Sequence, residues 1–402
     1  MSNSSVVTGE KEENVTVPDI HSKAFDQLIS DIAADFKKRS NEEGRQHPFK
    51  GVQLIKEFRL GAIRLPKNAG GAGSSFVDLF TAVIRIAEAD PDVAHIIRAH
   101  FMTVESLLQS PETPLRKKIV EAVGNGAIIG NAYTENSKHQ AGGYEYDTKL
   151  TKEGDHYLLN GEKIFTTGTY YSDYTEVKAM LHGSPTLLIV PVSREGVTVL
   201  DDWDGIGQKM TGSGTTIFEN VVVEANETFT DRQKKGQYAP VPHLYLQAII
   251  AGIVRNIVTD ATDLIHKRKR SFFHGNTNDL KQDVQLQQVV GQLSSFAFAA
   301  EAMVLAAAKS VDDASEYPDS AAEHNAALRG SQVKVAIEEL AFKAATLLFE
   351  VGGASATIQS ANLDRHWRNI RTLASHNPTL YKARAIGDYY INNELLPDSA
   401  YF

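Results

Sequence analysis

The 402-residue chain contains no cysteine. A disulfide frame and a thiolate-ligated metal are therefore excluded. There is no Gly-x-Gly-x-x-Gly run, so direct binding of a nicotinamide dinucleotide has no support. No paired histidine or carboxylate spacing stands out, and no metal is expected. A surplus of positive charge is also lacking: 41 Lys and Arg stand against 50 Asp and Glu, for a net charge of −9. Such a chain has no general attraction to nucleic acid or to an anionic membrane. No unbroken apolar run approaches the ~18 residues that cross a bilayer. The stretch Met1 to Pro18 is polar and acidic, unlike a secretory signal. These absences point to a soluble, cytoplasmic, globular protein without membrane or nucleic-acid partners.

What is present is a large apolar complement, 42% of residues, enough for two or three domains. Residues 1–20 read as a disordered tail. Helical periodicity then marks His21–Arg39, Val52–Leu60, Phe76–Ala89, one helix from Pro91 to Leu108, and Leu115–Val123. His100 falls near the edge of the apolar stripe of the 91–108 helix. From Gly130 to Val223 the pattern changes to short runs of Val, Ile, Leu, Thr and Tyr broken by Gly, Asn and Ser, which reads as strands and turns. Asn160-Gly161, between Tyr157-Leu158-Leu159 and Lys163-Ile164-Phe165, is a two-residue hairpin signal. Four long Ala- and Leu-rich helices follow: Leu244–Lys267, Val284–Val311, Ala321–Phe349 and Leu380–Asn392. The fold expected is α+β: an N-terminal helical domain (21–128), a central β-barrel-like domain (129–232) and a C-terminal four-helix bundle (233–402).

An ordered set of short stretches adds to this. Tyr133-Thr134-Glu135, Asn160-Gly161-x-Lys163, Phe165-x-Thr167, Gly207-Gln208, Phe218-Glu219-Asn220-Val221 and Arg270-x-Phe272 together resemble the acyl-CoA dehydrogenase superfamily. Gly130-Asn131-Ala132-x-x-Glu135-Asn136, Asp201-Asp202-Trp203-x-x-Ile206-Gly207, Gly212-Ser213-Gly214-Thr215 and Asp364-Arg365-x-Trp367-Arg368-Asn369-x-Arg371-Thr372 resemble its flavin-dependent monooxygenase branch, the dibenzothiophene monooxygenases in particular. The dehydrogenases need a carboxylate to remove a carbon-bound proton. The two regions that supply it in that family read Ser375-His376-Asn377-Pro378 and Pro242-His243-Leu244-Tyr245-Leu246 here, with no Glu. Loss of a general base typically costs ~10²–10⁴-fold in rate.

The resemblance implies a two-component enzyme. It takes reduced flavin from a separate NAD(P)H:flavin reductase, forms a C4a-hydroperoxyflavin with O₂, and oxygenates a small, mostly apolar substrate, with sulfur the expected atom. FMN is the expected flavin, with FAD the other possibility, and a homotetramer is the expected assembly. Catalytic roles are implied for Asn131, Thr167 and His376, with His100 across the pocket. Thr167 stands where the branch has Ser and keeps the hydroxyl. Cofactor contacts are implied for Asn131, Asn136, Thr167, Trp203, Ser213, Gly352 and Gly353, and for Arg270 and Phe272 reaching from a neighbouring subunit. The branch has a second histidine three residues before His376; this chain has Leu373. An acyl-CoA dehydrogenase with a displaced base, a nitrogen-hydroxylating enzyme and a non-catalytic flavin-binding protein are the alternatives.

Overall fold

The first helix, α1 (Lys23–Arg39), starts where the Ser22 hydroxyl accepts from the Phe25 amide. The computed structural model describes residues 18–40, 42, 44–139, 143–230, 240–268, 270–271, 273–397 and 402. Most of the expected loose tail, residues 1–17, therefore lies outside the described residues, and so does Phe272; Ile20 is already buried. After α1 come α2 (Phe49–Phe58), α3 (Phe76–Ala89), α4 (Pro91–Ile96), α5 (Arg98–Gln109) and α6 (Pro114–Gly124). Helix α3 is closed at its start by a Ser75–Asp78 capping box, which satisfies two orphan donors reciprocally. The Asp90 carboxylate then caps α4, with Pro91 in the first turn. The single helix expected over 91–108 is in fact two. Ile97 leaves the helical region (φ −89°, ψ 4°), so Arg98 becomes the first residue of a new helix. That break decides which side chains reach the site.

Among the described residues the middle of the chain forms one curled sheet. Its strands are β1 (Ile129–Ala132), β2 (Lys149–Glu153), β3 (His156–Lys163), β4 (Tyr174–Leu181), β5 (Ser184–Pro191), β6 (Val197–Val199), β7 (Thr216–Glu224) and β8 (Thr228–Thr230). The order is β6-β7-β3-β2-β4-β5-β8, with β1 parallel to β4. One face buries Leu159, Val177, Leu188, Val190, Phe218 and Val223. The hairpin expected at Asn160-Gly161 is not there. The β2–β3 turn falls at residues 154–155, because Glu153 pairs with His156. Asn160-Gly161 is instead a bulge inside β3, where the register against β7 shifts. A Cβ on Gly161 would sit 2.3 Å from the Thr148 hydroxyl oxygen. Pairing with β7 on the far side outweighs the local turn preference. A second two-residue hairpin, at His182-Gly183 between β4 and β5, has both residues at positive φ, as a type I′ turn requires.

The C-terminal helices are α7 (Val241–Lys267), α8 (Val284–Glu316), α9 (Ser320–Gly352), α10 (Arg365–Ala374) and α11 (Thr379–Asn392). Helices α7 to α10 share one apolar core with α1 to α5, while α11 packs on α9 in a separate cluster of Ala385, Leu328 and Leu396. Phe80 of α3 meets Tyr245 of α7 edge-on, ring centroids 6.2 Å apart, and both are fully buried; each such side chain contributes roughly 1.5–3 kcal/mol. Arg255 ties α7 to Glu88 on α3 and Glu301 on α8, at 2.7 and 2.6 Å. By length and composition α7 and α8 could each cross a membrane, although no unbroken apolar run of that length was read. Helix α7 is mostly buried in the fold, whereas α8 leaves much of its apolar window open, with Phe298 on the surface.

Candidate functional site

The site is built where the β layer meets α4 and α10. After β3 the chain turns through Phe165 and Gly168, both at positive φ. A Cβ on Gly168 would lie 2.2 Å from the Ile96 carbonyl oxygen. Glycine alone lets this turn press against the end of α4. The contact sets Thr167 beside that helix. The Thr167 hydroxyl shares a 2.7 Å hydrogen bond with the Ser213 hydroxyl, which shares another of 2.7 Å with Thr211. Thr211 in turn donates to the Gln208 carbonyl at 2.9 Å. The Asp202 carboxylate fixes the far side of this loop by accepting from the Thr215 amide and hydroxyl, each at 2.7 Å.

Gln208 is the hub of the junction. Its amide donates to Asn369 Oδ1 on α10 at 2.8 Å. The Trp203 indole donates to its carbonyl at 2.9 Å. Its side-chain oxygen accepts from His95 Nδ1 of α4 at 3.1 Å. Gln208 is wholly buried, and among the described residues its Nε2 has no hydrogen-bond partner. Phe165 stands edge-on to Trp203, ring centroids 5.9 Å apart, and leaves half of its ring area in solvent (52%). A large apolar ring at positive φ, exposed beside a tryptophan, is a wall awaiting a flat ligand.

Three histidines gather here. His95 is buried, and its pKa is pushed down to about 3 by burial, with the Arg98 charge acting in the same sense and the Gln208 bond opposing. It is therefore neutral, its Nδ1 proton held by Gln208 and its Nε2 left as acceptor. His376 precedes α11, and its ring lies 5.8 Å from that of His243 at the start of α7. It is wetted on one side and enclosed by protein elsewhere, so it lines a recess. Burial holds its pKa well below the ordinary value, and the Arg98 charge acts in the same sense. Arg98 Nε donates to the Pro242 carbonyl at 3.0 Å, which anchors the guanidinium next to His243. Tyr245 completes the join of α7 to α4 through a 3.2 Å bond to the Ala94 carbonyl.

The structure thus ties Thr167, Ser213 and Trp203 together around Gln208, and sets His376 beside His243. Asn131 is close by: a Cβ on its neighbour Gly130 would overlap Thr169, and the Asn131 carbonyl accepts from the Thr169 hydroxyl at 3.0 Å. Asn136 is exposed in the following turn. His100 is not in the recess. It is fully buried, Nε2 donates to the Gly61 carbonyl at 2.9 Å, and Nδ1 accepts from the Ile129 amide at 3.2 Å. Both ring nitrogens hold backbone, and burial lowers its pKa to about 4. On the other side of the break at Ile97, His95 is the histidine that joins the Gln208 junction. Leu373 is core. Gly352, Gly353 and Arg270 lie beyond the other end of α7, roughly 30 Å from His243 at 1.5 Å per residue. Gly353 (φ 57°) caps α9, and a Cβ on Gly352 would touch Ala356 and Leu264. Within one chain these residues do not join the Thr167 cluster. His95 and Arg98 escaped the sequence reading, and Gln208 and His243 were read without a site role. The available signal was a second histidine five residues before His100 and a histidine directly after Pro242.

The family descriptions "Acyl-CoA dehydrogenase, middle domain" and "Acyl-CoA dehydrogenase, C-terminal domain" match residues 131–221 and 244–379. The chain belongs to the acyl-CoA dehydrogenase superfamily. Within it the chain falls in the flavin-dependent monooxygenase branch. It is 28% identical over 357 residues to the dibenzothiophene monooxygenase of Mycolicibacterium goodii, covering 83% of this chain and 85% of that protein. It is 26% identical to a Pseudomonas putida protein named as a probable FMNH2-dependent monooxygenase, SfnC, over 86% of this chain and 89% of the other. In fold it is similar to the FMN-bound TdsC of Paenibacillus sp. A11-2, with a TM-score of 0.85, 24% identity, and coverage of 95% of this chain and all of the other.

Proposed function

We propose that the chain is the oxygenase of a two-component flavin-dependent monooxygenase, fed with reduced FMN by an NAD(P)H:flavin reductase and acting at the sulfur of a small organosulfur substrate. One observation carries this. Where the superfamily's dehydrogenation chemistry calls for a carboxylate, the chain has His243 and His376, ring centroids 5.8 Å apart, and the paired Thr167 and Ser213 hydroxyls belong to the Gln208 junction that His95 joins.

The residues fit a flavin. The Phe165–Trp203 wall suits an isoalloxazine face, and the orphaned Gln208 Nε2 with the Thr167 and Ser213 hydroxyls offers donors for its polar edge. Bound reduced FMN would supply the two electrons that divide O₂ between the substrate and water. The chain's own groups do the rest. Thr167, Ser213 and Asn131 orient the ring's edge by hydrogen bonding. Phe165 and Trp203 keep water away from it. His95, with its Nδ1 proton tied to Gln208, presents Nε2 to the reacting region, and His376 offers a second neutral imidazole. A neutral imidazole with a bare Nε2 accepts a hydrogen bond or a proton, which suits His95 to orient a proton donor or to act as a base at the reacting region.

On this reading the functional units run over 21–128, 129–232 and 233–402. A homotetramer covers the open apolar face of α8, and Arg270 and the Gly352-Gly353 corner reach the FMN of a neighbouring subunit. Asn136 sits near the ring or its phosphate. Free reduced flavin is consumed by O₂, so the oxygenase and its reductase share a compartment, which we take as the cytoplasm. The test combines the protein with a flavin reductase, FMN, NADH and a panel of sulfides, thiophenes, sulfinates and amines. Oxygenated sulfur products are expected. No oxygenated product, together with anaerobic bleaching of bound flavin by an acyl-CoA panel, would replace the reading with a dehydrogenase.

A further inference from the structure

The loop that carries Trp203 and Gln208 is held from outside by residues that the proposed reaction does not use. Gln208 sits at φ 51°, a strained setting for a residue with a Cβ, which lasts only where surrounding contacts enforce it. Arg45, in the connector between α1 and α2, supplies several of those contacts. Its guanidinium donates to the Trp203 carbonyl at 2.9 Å, to the Lys209 carbonyl at 3.3 Å and to Asp201 Oδ1 at 2.7 Å. His47, two residues on, spans the same loop. Its Nε2 lies 2.9 Å from Asp201 Oδ2 and its Nδ1 2.7 Å from the Tyr171 hydroxyl. The Tyr171 hydroxyl donates to the Met210 carbonyl at 2.6 Å. The rings of Tyr170, Phe49 and Tyr171 enclose the imidazole, with centroids 5.3, 5.5 and 6.0 Å away, and the His47 side chain is only 13% exposed.

Counting hydrogens fixes what this bridge requires. A phenol has a single hydrogen, and the Met210 carbonyl, which can only accept, takes it. His47 Nδ1 must then donate to the Tyr171 oxygen. The Asp201 carboxylate accepts from Arg45 on one oxygen and from His47 on the other, so Nε2 must donate as well. Only an imidazolium donates from both nitrogens. A neutral His47 sets a lone pair against the Tyr171 oxygen or against Asp201. We propose that Arg45 and His47 are positioning residues for the loop that faces the flavin, with His47 acting as an imidazolium, and that the loop loosens its hold on the flavin as rising pH removes that proton. The proposal rests on the flavin reading of the Phe165–Trp203 wall for its consequence, and on the hydrogen count alone for the clasp. The titratable and charged groups around His47 are Arg45 on its own connector, Asp201 in the loop, and Tyr170 and Tyr171 after the Gly168 turn. Behind Tyr171, the α4 carboxyl of Asp92 faces the Met210 amide, pushed up to about 8 by burial with Asp90 acting in the same sense. His95, held at about 3, stays neutral on the other side of the loop.

The clasp is read first without flavin. The chain has two tryptophans, and Trp367→Phe leaves Trp203 as the sole indole. Its emission is followed over about pH 5–7.5, a range in which histidine changes charge and which lies below the Asp92 titration. One transition is expected. His47→Gln should remove it by deleting the titrating group, and Tyr171→Phe should largely remove it by deleting the oxygen that obliges Nδ1 to donate. FMN affinity is then followed by flavin fluorescence. From the acid to the alkaline end it is expected to fall roughly 3- to 10-fold more in the unaltered protein than in His47→Gln, the scale of one lost hydrogen bond; the FMN phosphate titrates alike in both. Arg45→Gln is expected to weaken FMN roughly 10-fold across the range, and Arg45→Lys, which cannot reach three acceptors, to recover part of that. No transition in the unaltered protein, a transition that survives His47→Gln, or an FMN affinity with the same pH profile in both proteins overturns the proposal. If His47→Gln does not fold, Tyr171→Phe decides by the same readings. A transition that depends on His47 in a protein that binds no FMN at any pH rejects the flavin reading and leaves the clasp standing.

Discussion

Replacing His100 and replacing His95 should have opposite consequences, although the two histidines lie five residues apart. Removing the His100 ring strands the Gly61 carbonyl and the Ile129 amide in a fully buried place. Each orphan costs about 1–3 kcal/mol, and the vacated ring volume adds roughly 1 kcal/mol or more. A total near 5 kcal/mol is expected. With an unfolding entropy of about 2.1 cal/mol/K per residue, 402 residues give about 0.8 kcal/mol per degree, so Tm falls by about 6 °C. Turnover per folded molecule stays near that of the unaltered protein. His95→Ala leaves the buried Gln208 side-chain oxygen without its partner, a cost of about 1–3 kcal/mol, and its Tm falls by about 1–4 °C. Its turnover falls by ~10²–10⁴, the scale of a lost general acid–base group. Thermal unfolding and reductase-coupled turnover on both variants provide the comparison. His100→Ala with unchanged Tm and abolished turnover, or His95→Ala with full turnover, would refute the assignment.

Other consequences follow from the same structure. His100 and His366 are each held at a pKa of about 4, against 6.5 for a free histidine, chiefly by burial. A depressed folded pKa means that their stabilising contribution is complete above pH 6.5 and is lost as pH falls toward 4, about 2 kcal/mol for each by pH 5; unfolding midpoints in denaturant should drop steeply over that window, and a flat profile would contradict it. Gly168→Ala must hold a positive φ and overlap the Ile96 carbonyl, so it should cost ~2–3 kcal/mol and weaken FMN binding as measured by fluorescence quenching. Thr167→Val should weaken FMN binding and raise peroxide release per NADH, while Thr167→Ser, which keeps the hydroxyl that meets Ser213, should behave as the unaltered protein.

Much of the fold could be read from residue patterns, and the exceptions have physical causes. Helix α3 matches its expected span at both ends because the Ser75 side chain caps its start and the Asp90 side chain begins the next helix, both visible in the sequence. The break at Ile97 carried no such mark: the apolar period runs on through Ile97, Phe101 and Val104, and it is the Gly168 turn, seventy residues away in the chain, that presses on the end of α4. With that break, His100 binds backbone in the core and His95 reaches the Gln208 junction. Asn160-Gly161 looked like a turn because local preference is all that a short window contains, and pairing of β3 with β7 overruled it. Thr167, Ser213, Trp203 and Gln208 stand in the ordered motifs, and loop hydrogen bonds tie them together. His95 and Arg98 stand in none, since only the packing of α4, α7 and the 201–216 loop brings them to that junction.

The central claim is that this recess passes oxygen from O₂ to sulfur on neutral imidazole and hydroxyl groups. The direct test is the balance of NADH oxidised, sulfur product formed and peroxide released under isotopically heavy oxygen gas, with the purified protein, FMN and a flavin reductase. The account predicts one heavy oxygen atom in each product molecule and little peroxide, and His95→Ala should shift that balance toward peroxide. Heavy oxygen appearing only in peroxide and water, with the organosulfur compound recovered unchanged, would contradict it.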